Sequence, residues 1–262
     1  MNKNSFIFLD IDGTIYDYNI GVPESTIEAI KALHENGHKV CLSTGRTKIL
    51  IFDEIMELGF DGIISGCGTC VEWEGKELFR KELPKDEIKK LADLFRKYGF
   101  PCFGEGKDNL YFDPALVDDG AQAAYMIYQR KIPGHILPID IENMSCAKVS
   151  ALYLGKEIPK ELIDAIEGDY IWAAHNDGFF ETVPKGCSKA GGFDILKDHL
   201  DIDPDKCYAF GDSFNDIDIL KAVKYGVVMG NGDEELKRRV PLHTESLEDD
   251  GVYKALCRFG LI

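Results

Sequence analysis

Phe6-Ile7-Phe8-Leu9 is an unbroken apolar run, closed off by Asp10, Asp12 and then Gly13-Thr14. A strand with no polar alternation has no face for water, so it must be covered on both sides, as in a parallel sheet between two layers of helices. The pattern recurs. "PESTIEAIKALHENG" places Ile27, Ile30 and Leu33 at helical spacing and stops at Gly37. A strand over 38–43, a helix over about 47–58 and a short strand at Ile63-Ile64 follow. Near the other end, a helix over 188–199, a strand over 207–210, a helix over 216–223, a strand over 226–229 and a helix over 233–239 repeat the alternation. The sequence therefore predicts an α/β protein built on a doubly wound, Rossmann-like parallel sheet.

The middle of the chain has a different grammar. "VEWEGKELFR" reads as a hairpin around Glu74-Gly75, and "LPKDEIKKLADLFRKYGF" as an amphipathic helix. "PCFGEGKDNLYF" reads as a second hairpin, with further strands within 146–154 and 170–183. Strands that come in pairs between separate helices predict an α+β insert over 82–183, leaving a core of 1–81 and 184–262.

Charge and cysteine usage narrow the partners. Thirty basic and 46 acidic residues give a net charge of −16, and no Lys/Arg cluster stands out. A nucleic-acid backbone is thus not an expected partner. No apolar stretch approaches the ~20 residues of a membrane span, and no secretory signal is apparent, so a cytoplasmic location is expected. The eight cysteines are scattered, mostly in apolar runs, as suits reduced buried thiols. Cys67 and Cys70 have C-x-x-C spacing, but no second pair or ligand-spaced histidines accompany them and no helix follows. A structural role is preferred to a redox or metal role.

In a doubly wound sheet, ligands collect beyond the carboxyl ends of the strands. Those ends carry related chemistry here. The first supplies Asp10 and Asp12, two carboxylates whose repulsion a cation would relieve. The second ends in Ser43-Thr44-Gly45-Arg46, hydroxyl and backbone N–H donors suited to anionic oxygens. "GDSFND" at 211–216 adds Asp212, Asn215 and Asp216, and "PKGCSKAGG" puts Lys189 at a helix start. Each alone has a bland reading: a turn, a helix cap or a solvated lysine. Together they predict a site for a hard divalent cation and a phosphate.

The blocks "DIDGTIYD", "STGR", "SKAGG" and "GDSFNDIDIL", in this order, resemble the haloacid dehalogenase-like (HAD) hydrolase superfamily. "VVMGNGDEELK" and "LEDDGVYKAL" look like its Cof-type subgroup, whose class IIB α/β cap is inserted where 82–183 lies. The resemblance implies that Asp10 is the nucleophile of an aspartyl-phosphate mechanism and Asp12 the general acid and base. It implies Mg²⁺ on the Asp10 and Asp212 carboxylates and the Asp12 backbone carbonyl, with Asp216 holding its waters. Thr44, Gly45, Lys189 and Asn215 would bind the phosphoryl oxygens. The implied activity is a Mg²⁺-dependent phosphatase acting on a small phosphorylated metabolite such as a sugar phosphate. A phosphomutase is the rival enzyme, and a non-enzymatic phosphosugar-binding protein the rival from another class. One departure stands out: Cys67 occupies the place where Cof-type members usually carry an asparagine. Among the histidines, His175 is the one near the return from insert to core.

Overall fold

A computed structural model describes residues 4–113, 119–174 and 178–262, so His175 lies outside the described residues. The chain divides into two compact units: residues 1–45, 53–80 and 188–262 form the first, and 46–52 with 81–187 the second. The strands are β1 (Phe6–Leu9), β2 (Lys39–Ser43), β3 (Gly62–Ser65), β4 (Cys70–Trp73) and β5 (Lys76–Arg80), then β6 (Cys102–Glu105), β7 (Leu110–Phe112), β8 (Ile136–Pro138), β9 (Lys148–Leu152), β10 (Tyr170–Ala174) and β11 (Phe179–Pro184), and last β12 (Cys207–Gly211), β13 (Tyr225–Val228) and β14 (Leu242–His243).

The first unit is an eight-stranded sheet in the order β14-β13-β12-β1-β2-β3-β4-β5. All pairs from β14 to β3 are parallel, and β3, β4 and β5 are antiparallel. It is thus the expected doubly wound α/β sheet, with an antiparallel extension at one edge. The β4–β5 turn is Glu74-Gly75, both at positive φ (47° and 75°), the backbone a tight two-residue hairpin needs. On one face Phe8, Cys41, Ile64 and Val71 pack against Phe193 and Leu196 of helix Lys189–Leu200 and Ile219 and Leu220 of helix Ile217–Ala222. Phe8 and Phe193 meet edge to face at 5.2 Å. Burial of such a side chain is worth about 2 kcal/mol. By strand alternation Ile7, Leu9, Val40 and Leu42 point to the opposite face. Helix Glu24–Glu35 packs on β2 and against helix Gly251–Phe259.

The second unit holds a six-stranded sheet ordered β10-β11-β9-β6-β7-β8. It is antiparallel except for the β7–β8 pair. Cys102, Val149, Ala151 and Phe180 share one core with Ile88, Leu91 and Phe95 of helix Lys85–Lys97 and Leu162 and Ile166 of helix Lys160–Ile166. Among the described residues no helix is long and apolar enough to cross a membrane.

Two local expectations are corrected. The helix over 47–58 is a 3-10 turn at Lys48–Leu50 and one α-turn at Asp53–Met56. Leu50, Ile51 and Phe52 are all buried, and three consecutive residues cannot all face inward from one helix. Arg46 secures the extended path, donating from Nη1 to the Leu50 carbonyl (3.0 Å) while its guanidinium lies 4.7 Å from the Phe52 ring centroid. In helix Glu24–Glu35 the inner stripe is Thr26, Ala29, Ile30 and Leu33, and Ile27 is turned to solvent. Tertiary packing chose the i, i+3, i+4, i+7 set that starts one residue earlier.

Candidate active site

Register places the catalytic candidates side by side. Leu9 lies level with Phe210 on β12 and with Leu42 on β2, so Asp10 emerges beside Gly211 and Ser43. Its N–H donates to the Phe210 carbonyl at 3.0 Å. The chain then turns sharply: the Ile11 carbonyl accepts from the N–H groups of Thr14, Ile15 and Tyr16. This turn separates the two aspartates that the sequence places two apart. Asp10 is buried, whereas Asp12 is exposed.

Lys189 is the centre of the site. Its helix begins at Ser188, whose hydroxyl accepts from the Gly191 N–H. That cap fixes the first turn and aims the lysine inward. Its side chain is fully buried, with Nζ 2.7 Å from Asp10 Oδ1 and 2.6 Å from Asp216 Oδ1. The other oxygen of Asp216 accepts from the Asp212 and Ser213 N–H groups, both at 3.1 Å. Ser213 and Asp216 also form a capping box on the 3-10 turn Phe214–Asp216. Asp216 therefore both caps this turn and anchors Lys189. Carboxylate oxygens of Asp10, Asp212 and Asp216 all lie within 4.8 Å of one another.

Two glycines make room for these carboxylates. A Cβ on Gly13, where φ is +74°, would stand 2.4 Å from Asp212 Oδ2, and one on Gly211 would stand 2.3 Å from Asp216 Cγ. Glycine follows Asp12 and precedes Asp212 because any side chain there would occupy the site.

The electrostatics follow from burial. Burial, opposed by Lys189 and reinforced by Asp216, Asp212 and Asp12, holds the Asp10 carboxyl well above the usual range. Burial and Asp216 push Asp212 up to about 7, against the pull of Lys189, with Asp12 adding to the rise. Burial works against the Lys189 ammonium, but Asp10 and Asp216 outweigh it and raise its pKa. Four carboxylates and one ammonium leave an excess of negative charge and an all-oxygen donor set. That chemistry fits a hard divalent cation such as Mg²⁺.

The remaining candidates lie on adjoining strand ends. Thr44 and Gly45 follow β2, with the Thr44 N–H bonded to the Ile64 carbonyl at 2.8 Å. Cys67 donates its backbone N–H to the Thr44 carbonyl at 3.0 Å, and its thiol is one of the groups acting on Lys189. The turn that carries Cys67 presses on the lysine helix: a Cβ on Gly68 would meet the Ser188 carbonyl at 2.1 Å. Asn215 sits beside Asp216, its side-chain oxygen accepting from the Ser213 hydroxyl at 2.9 Å.

Sequence reasoning missed Asn231. Its side-chain nitrogen donates to the Gly13 carbonyl (2.8 Å) and its oxygen accepts from the Leu247 N–H (2.9 Å), tying the Asp12 loop to the far side of the site. The signal was present in "VVMGNGDEELK", where an asparagine between two glycines follows a strand.

Residues 7–256 match the family model described as haloacid dehalogenase-like hydrolase. YkrA of Bacillus subtilis (strain 168) is 30% identical over 269 residues, covering 99% of each chain. The 5-amino-6-(5-phospho-D-ribitylamino)uracil phosphatase YitU of the same strain is 29% identical over 273 residues, covering 97% of each. The solved HAD subclass IIB sugar phosphatase BT4131 superposes with a TM-score of 0.86 at 27% identity, covering 98% of this chain and 100% of that one.

Proposed function

Since this chain belongs to the haloacid dehalogenase-like hydrolases and is a phosphatase of that family, we propose that it hydrolyses a small phosphate monoester of the sugar-phosphate class, with Mg²⁺, in the cytoplasm. The observation that carries this reading is Lys189, fully buried and bonded at once to Asp10 and Asp216 beside Asp212. A lysine so placed, against three carboxylates, serves a charge-transfer site better than it serves packing. The subclass of BT4131 and the substrate named for YitU support a phosphorylated metabolite. The eight cysteines stand outside any disulfide, seven of them buried, which supports a reducing compartment.

In the proposed reaction the Asp10 carboxylate attacks phosphorus and the ester P–O bond breaks, giving an aspartyl phosphate. Asp12, exposed at the mouth of the turn, gives its proton to the departing alkoxide. It then takes a proton from the water that attacks phosphorus, which frees phosphate and restores Asp10. Lys189 pulls the Asp10 carboxyl toward its ionised form, opposing the burial that favours the protonated, non-nucleophilic one. Thr44, the Gly45 N–H, Lys189 and Asn215 bind the phosphoryl oxygens and offset the charge in transit. Mg²⁺, on Asp10, Asp212 and the Asp12 carbonyl with Asp216 behind them, would supply further neutralisation of those oxygens when bound.

A phosphate-release screen over sugar, nucleotide and cofactor phosphates tests the proposal. Turnover is expected with Mg²⁺, and Asp212→Ala is expected to abolish that Mg²⁺-dependent turnover while leaving the fold intact. No release by folded, metal-loaded protein would instead favour a phosphosugar-binding protein.

The raised pKa of Asp212 has a measurable counterpart. Unfolded, its carboxyl ionises near 4, while the folded metal-free protein holds the proton to about 7. Between those values the folded state binds more protons, so this group makes stability fall as pH rises. Mg²⁺ competes with the same proton. The thermal midpoint gained on adding Mg²⁺ is therefore expected to be larger at pH 8 than at pH 5, and an equal gain at both would remove Asp212 from the metal site.

A further inference from the structure

Two stretches that resemble the Cof-type subgroup, "VVMGNGDEELK" and "LEDDGVYKAL", supply no group to the proposed reaction. Asn231 in the first reaches the second and the Asp12 loop at once. The loop that carries it lies along the Asp212 strand end: Met229 donates its N–H to the Gly211 carbonyl at 3.0 Å, and Asp233 to the Asp212 carbonyl at 2.9 Å. On its other side Gly230 donates to the Glu245 carbonyl at 2.9 Å. The flanking glycines permit this closeness. A Cβ on Gly230 would stand 2.5 Å from the Ser246 nitrogen, and one on Gly232 would stand 2.9 Å from the Asp212 carbonyl oxygen. The Asn231 amide then spans from the Gly13 carbonyl to the Leu247 N–H.

Gly13 is the point where this contact bears on the chemistry. Its N–H, in the same peptide as the Asp12 carbonyl, donates to the Tyr16 carbonyl at 2.9 Å. The Thr14 N–H, in the same peptide as the Gly13 carbonyl, donates to the Ile11 carbonyl at 3.2 Å. Those bonds are local to residues 11–16 and set the shape of the turn. The bond from Asn231 comes from a loop that is itself tied to Asp212, so it helps set where the turn stands. Asp12 is one residue before Gly13, and the aim of a side chain follows the backbone that carries it.

Resting on the phosphatase reading, we propose that Asn231 is a positioning residue for Asp12. Its amide holds the Gly13 carbonyl so that the Asp12 carboxyl meets the departing oxygen in the first step and the attacking water in the second. An exposed hydrogen bond between neutral groups adds little to stability. A misplacement of about 1 Å in a reacting group can cost ~10²-fold in rate. The amide therefore matters more to the reaction than to the fold.

The test compares wild type, Asn231→Ala and Asn231→Asp on p-nitrophenyl phosphate and glucose 6-phosphate at saturating Mg²⁺. Asn231→Ala is expected to lower kcat for the sugar ester by at least about tenfold, with KM changed less than about twofold. From the aryl ester it is expected to accumulate aspartyl phosphate, seen as added mass on the peptide containing Asp10, because forming the intermediate needs little proton donation and hydrolysing it needs the displaced base. Asn231→Asp keeps an acceptor for Leu247 and loses the donor to Gly13, so it is expected to accumulate it too. Wild-type behaviour of that variant would assign the effect to the Leu247 end and overturn the proposal. A double-variant cycle separates positioning from a structural role. In Asp12→Asn protein, adding Asn231→Ala is expected to change the rate of phosphoenzyme formation by less than about twofold, since no proton carrier is left to position. A further loss of about tenfold there would make Asn231 a structural residue and overturn the proposal. Wild-type turnover with an unimpaired Asn231→Ala variant would overturn this inference alone, whereas no wild-type turnover of either ester would overturn the phosphatase reading and this inference with it.

Discussion

Asp10→Asn protein is expected to lose at least about 10⁴-fold in turnover and to form no phosphoenzyme, because the amide that replaces the carboxylate is not a nucleophile. Asp12→Asn is expected to fail differently. It keeps the nucleophile and loses the proton carrier. p-Nitrophenyl phosphate expels a leaving group that needs little protonation, so its first step partly survives, while the second still lacks a base to activate water. Asp12→Asn should therefore accumulate aspartyl phosphate from the aryl ester, seen by mass spectrometry as added mass on the peptide containing Asp10. A sugar phosphate, whose alkoxide must be protonated to leave, should give little. The proposed division matches the surroundings of the two side chains: Asp10 is buried against Lys189, and Asp12 faces solvent. Equal trapping from both esters would contradict the acid role, and trapping by Asp10→Asn would exclude it as the nucleophile.

Lys189→Met should be damaging twice over. The methionine fills similar space but leaves Asp10 and Asp216 buried without their shared cation. Removing one partner of a buried ion pair costs about 3–5 kcal/mol, so the metal-free variant should melt well below wild type. Metal should restore part of that loss, since a divalent cation answers the same excess charge. Turnover should nevertheless fall by at least about 10²-fold, because a positive charge aimed at the phosphoryl group is gone. A variant with only KM raised and kcat intact would reduce Lys189 to uniform binding and refute the role given to it.

What the sequence determined is tied to local pattern. Apolar runs without alternation require a covered parallel sheet, and polar residues at their ends must then gather along one edge of it. That rule alone brings Asp10, Thr44 and Asp212 to one end of the sheet, because β1, β2 and β12 are parallel neighbours in register. Glu74-Gly75 was legible as a hairpin turn for the same reason: the backbone requirement is carried by the residues themselves. What only the tertiary structure decided is burial, which depends on residues far away in the chain. Lys189 reads as an ordinary lysine until Asp10 and Asp216 close on it from 179 and 27 residues away. Ile27 fits a helical stripe until the sheet selects Thr26 and Ala29 instead. Leu50, Ile51 and Phe52 suit a helix until all three are needed inside at once. Glu105, Lys148 and Glu181 stand on three separate strands, and only strand pairing turns them into one buried cluster. A charge costs little in water and several kcal/mol inside, so the meaning of these residues was fixed by where the fold put them rather than by their neighbours in sequence.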